Sequence, residues 1–69
     1  MSQYEVPLSK IEKAIINVMD NGEIGSDPVI NVHIWGGPNF NKQHGFTNLS
    51  REGVRNLIGA LQAIDEEIN

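Results

Sequence analysis

The apolar positions of this chain follow two different periods. Leu8, Ile11, Ile15 and Val18 stand three, four and three residues apart, with Ile16 and Met19 widening the stripe. That spacing predicts one face of an amphipathic helix. Ser9 followed three residues later by Glu12 is a capping-box pair, Pro7 precedes it, and Asn21-Gly22 supplies a left-handed stop. A first helix is expected over about 9–21. Two glycines and Pro28 mark 22–28 as a loop.

From Val29 to Trp35 the period changes to two. Ile30, Val32 and Ile34 fall on one side of a strand, and Val29, Asn31, His33 and Trp35 on the other. Gly36-Gly37-Pro38-Asn39 ends it, a polar loop runs to His44, and 45–49 reads as a short antiparallel second strand. Val54, Leu57, Leu61, Ile64 and Ile68 then repeat at three, four, three and four, predicting a second helix over about 51–67. Ser50 is its N-cap, with Leu49 and Val54 as a hydrophobic staple. Residues 3–6 alternate and would add an N-terminal edge strand before Pro7.

The expected fold is therefore a single α+β domain spanning 1–69: helix, β-hairpin, helix, with both helices on the Ile30, Val32, Ile34 face of a short antiparallel sheet. A charge placed at Leu57 or Leu61 is then expected to unfold it. The opposite face, with Val29, His33 and Trp35, would have nothing in the chain to cover it.

Composition narrows what such a domain can do. Sixty-nine residues bury only about 60% of the unfolded surface, so stability is marginal and self-association is one remedy. There is no cysteine for a disulfide or a thiolate site, and only two histidines, so no metal or other cofactor is expected. Net charge is −4, distributed as −3 over 1–27, +2 over 36–55 and −3 over 56–69. So few bases make nucleic acid an improbable partner. Residues 1–6 show no signal-peptide pattern, and no segment approaches the roughly 18 apolar residues that span a bilayer. A cytoplasmic protein without membrane contact is the expectation.

No serine or carboxylate stands in a nucleophile motif, and the glycines match neither the Walker nor the dinucleotide pattern. Two surfaces remain. Val29, His33, Trp35 and Phe40 form a candidate protein interface, because tryptophan is enriched where binding energy concentrates. Lys42, His44, Ser50, Arg51 and Arg55 form a candidate anion site at the start of the second helix, for a nucleotide or another small anionic ligand. The first surface leads to a non-enzymatic adaptor or inhibitor that binds a protein, or forms a homo-oligomer, the profile of many small acidic phage proteins. The second leads to a small-ligand binder.

Overall fold

A run of β-branched side chains decides the first half of the fold. Ile15, Ile16 and Val18 lose side-chain freedom in a helix and pack well on a pleated surface. In the computed structural model, which describes residues 2–20, 22, 25 and 27–69, they lie in a strand. The element order is β1 (Ser2–Pro7), β2 (Glu12–Met19), β3 (Val29–Gly36), β4 (Lys42–Leu49) and α1 (Arg51–Ile68). The sheet is an antiparallel meander in the order β1-β2-β3-β4.

The α+β class, the antiparallel sheet, the N-terminal edge strand and the C-terminal helix match the sequence reading. The first helix does not form. Its residues become β2, paired on both sides, with Ile16 opposite Tyr4 on β1 and Val32 on β3. A strand here shares its backbone hydrogen bonds with two neighbours, which a short helix could not do for β3. The capping-box residues serve a hairpin turn instead. Ser9 Oγ accepts from the Ile11 amide at 3.2 Å, and the Glu12 carbonyl accepts from Leu8 and Ser9. The Asn21 half of the anticipated helix stop lies outside the described residues; Gly22 is left-handed (φ 85°), its amide donating to Asp20 Oδ1.

The long loop anticipated after Trp35 is also shorter, because β4 begins at Lys42 rather than 45. The connection is a turn with Gly37 at φ 90° and Phe40 at φ 53°, closed by a hydrogen bond from the Phe40 amide to the Gly37 carbonyl. A bulge between Ile34 and Trp35 shifts the β3–β4 register.

The register defines two faces. Face A carries Tyr4, Val6, Ala14, Ile16, Val18, Ile30, Val32, Ile34 and Leu49. Face B carries Lys13, Ile15, Asn17, Val29, Asn31, His33, Trp35, Phe46 and Asn48. The helix rises directly from β4 through Ser50, whose hydroxyl accepts from the Gly53 amide at 3.0 Å. It overhangs face A without settling on it, and no helical residue is buried. Leu57 and Leu61, read above as core, are 46% and 59% exposed. Ala14, at 5% exposure, is the buried apolar side chain among the described residues.

Candidate functional site

Face B joins side chains that lie far apart in the chain. His33 and Trp35 are two residues apart on β3, so both project from the same side. Their rings stack with centroids 6.3 Å apart and planes 14° from parallel. His33 pairs in register with Phe46 on β4, and those rings meet at 4.7 Å and 55°. Both arrangements fall in the range favoured by aromatic quadrupoles. Ile15 on β2 is the other cross-strand neighbour of His33. Within this packing His33 Nδ1 is buried with no hydrogen-bond partner.

A charged margin and an amide margin flank the aromatic row. Lys13 Nζ lies 2.6 Å from Glu5 Oε1 and 5.2 Å from the centroid of the Phe40 ring, a cation–π distance. The left-handed backbone of Phe40, uncommon for a bulky residue, accompanies this placement of its ring near β2. On the other margin, Gln3, Asn17, Asn31 and Asn48 are in register across all four strands. Asn31 Nδ2 donates to Asn48 Oδ1 at 2.5 Å. Beyond them Val29 and Met19 are exposed at the end of the face.

Of the four interface residues expected from the sequence, Trp35, His33 and Val29 share face B, and Phe40 reaches its edge at Lys13. Phe46, Lys13 and the amide row were missed. Phe46 and Asn48 alternate with Gly45, Thr47 and Leu49, a period-two signal that assigns them to one face once β4 is oriented.

The expected anion site is distributed along β4 and α1. Ser50 Oγ is engaged in the helix cap, and Arg51 Nε donates to Asp27 Oδ1 at 3.1 Å. Arg51 and Arg55 line a cavity of about 340 Å³ whose other walls are Pro28, Ile30, Val54 and Ile58. Lys42 and His44 stand at the opposite end of β4, about 26 Å and about 20 Å from Ser50 at a strand's rise per residue. There Lys42 lies along Gly37. His44 Nδ1 donates to Glu12 Oε2 at 2.9 Å, its ring laid over the backbone of Gly36. The two histidines thus occupy opposite faces. No group of three or more histidine, aspartate or glutamate side chains placed to hold a metal ion occurs among the described residues.

Compared with protein-family models, curated proteins and solved structures, the chain matches none. No helix among the described residues is long and apolar enough to cross a membrane.

Proposed function

We propose that the protein is a non-enzymatic binding protein, an adaptor or inhibitor, that engages a protein target through face B. The observation supporting this is the Trp35–His33–Phe46 stack, held on a sheet face that no element among the described residues covers. Rings fixed in this way remove apolar area from water with little further loss of side-chain freedom on binding. The Gln3, Asn17, Asn31 and Asn48 amides offer directional donors and acceptors beside them, which fits the usual pattern of an apolar centre with a polar rim. Lys13 and Glu5 supply a charge of each sign at the other margin.

The anion-binding alternative has less support, because Arg51 and Ser50 already have partners and the cavity at Arg55 is walled mainly by apolar side chains.

The test is affinity capture from the source cells, comparing the unmodified chain with a Trp35→Ala/Phe46→Ala variant. Loss of an aromatic hot spot costs about 2 kcal/mol or more, a drop of roughly thirtyfold in affinity. The variant should keep its circular dichroism spectrum and lose the captured target. Equal capture by both chains refutes the assignment to face B.

A further inference from the structure

The chain as it stands is too open for its mass. Its accessible surface is 5494 Å², roughly 1,200 Å² above the ~4,300 Å² expected for a compact monomer of its size. Its radius of gyration is 13.9 Å, against about 11 Å for a compact domain of the same length. The excess area exceeds the ~800 Å² that each partner buries at a standard stable interface.

The excess has a location. Between face A and α1 runs an apolar trough of about 260 Å³, with Tyr4, Ile16, Val18 and Leu49 below and Leu57 and Leu61 above. The helix stripe continues beyond it through Ile64 and Ile68, 50% and 76% exposed. No charged side chain lines this trough.

Charge along the helix indicates what fits there. At 100° per residue, Arg51, Arg55, Asp65 and Glu66 lie about 40° to 140° round from Leu61, on one flank of the stripe. The two arginines lie in the N-terminal half, and the two acids near the C-terminus. Arg55 has no hydrogen-bond or ion-pair partner among the described residues, and the last turn has no base to offset its acids. Within one copy those acids sit at the unfavourable end of the helix dipole. A second helix laid antiparallel would bring each acidic end to a basic one and oppose the two dipoles; a parallel one would set like charges together.

We infer that a second copy of this chain fills the trough, its α1 antiparallel to the first about a two-fold axis near Leu61. Arg55 of each copy then faces Asp65 and Glu66 of the other. This surface lies on the opposite side of the sheet from face B, and neither assignment depends on the other.

The chain has no cysteine of its own, so cross-linking reads the geometry directly. Leu61 is exposed in the single copy, and Leu61→Cys leaves its fold intact. Near the axis this cysteine meets its twin within the ~7 Å between Cα atoms that a disulfide tolerates. Ile68→Cys lies about 20 Å from its own twin. Under mild oxidation Leu61→Cys should run mostly as a covalent dimer and Ile68→Cys as a single chain. Sedimentation equilibrium of the unmodified protein should give twice 7.6 kDa. Arg55→Glu should weaken the dimer at least tenfold, and adding Asp65→Arg and Glu66→Arg to the same chain should restore it. A single-chain mass at 100 µM overturns the inference. So does a dimer that cross-links at neither position, cross-links equally at both, or is not restored by the charge exchange.

Discussion

A methyl group added at Gly36 would fall on the ring of His44. The ring would have to swing away and release the Glu12 carboxylate. Gly36→Ala should therefore cost about 1 kcal/mol, the net worth of one such hydrogen bond. In a His44→Ala background the same substitution should be nearly neutral, a coupling that urea denaturation of the four chains in a double-mutant cycle measures. The sequence shows Gly36 and Gly37 as a strand ending. What makes alanine costly at Gly36 lies across the sheet, on β4, where a bulge brings a histidine over it. His33 is a comparable case. Its place on the Trp35 side of β3 follows from alternation, whereas its contact with Phe46 depends on a strand register that no local pattern encodes.

Among the elements, α1 was the most legible and β2 the least. The helix has a cap, a staple and a stripe that agree with one another. Ser50→Ala should destabilise it by about 1 kcal/mol, and Ser50→Asp should keep most of that stability, because either oxygen accepts from the Gly53 amide. Thermal melts followed at 222 nm distinguish the two. Over 9–19 the same helical cues are present, but β-branched side chains and two unpaired neighbouring strands favour the other outcome. Ile15 and Ile16 fit a helical stripe and also fit opposite faces of a strand, and one sequence window cannot separate these readings. A helix over that segment would leave a two-stranded sheet that needs two covering helices, and face A would be buried beneath them. In fact Val6 and Tyr4 on that face are 39% and 57% exposed.

For the molecule as a whole, the stripe of α1 belongs to an interface rather than a core. Leu61→Asp should therefore dissolve the dimer and leave the sheet folded, with its far-ultraviolet strand signal retained and its sedimenting mass halved. Loss of the strand signal as well would show that the sheet cannot stand without the second copy. The meander has a further consequence, in time rather than in space. Every strand pairs only with its neighbours in sequence, so no distant segment must be found before the sheet can close, and short loops make closure fast. The apolar stripe of the helix finds its packing only when two chains meet, and a helix of this length is marginal in water without it. Refolding should accordingly split into a rapid strand phase whose rate ignores protein concentration and a later gain in helicity whose rate rises in proportion to it. At low enough protein concentration the second phase should disappear, leaving a folded sheet that carries a fraying tail.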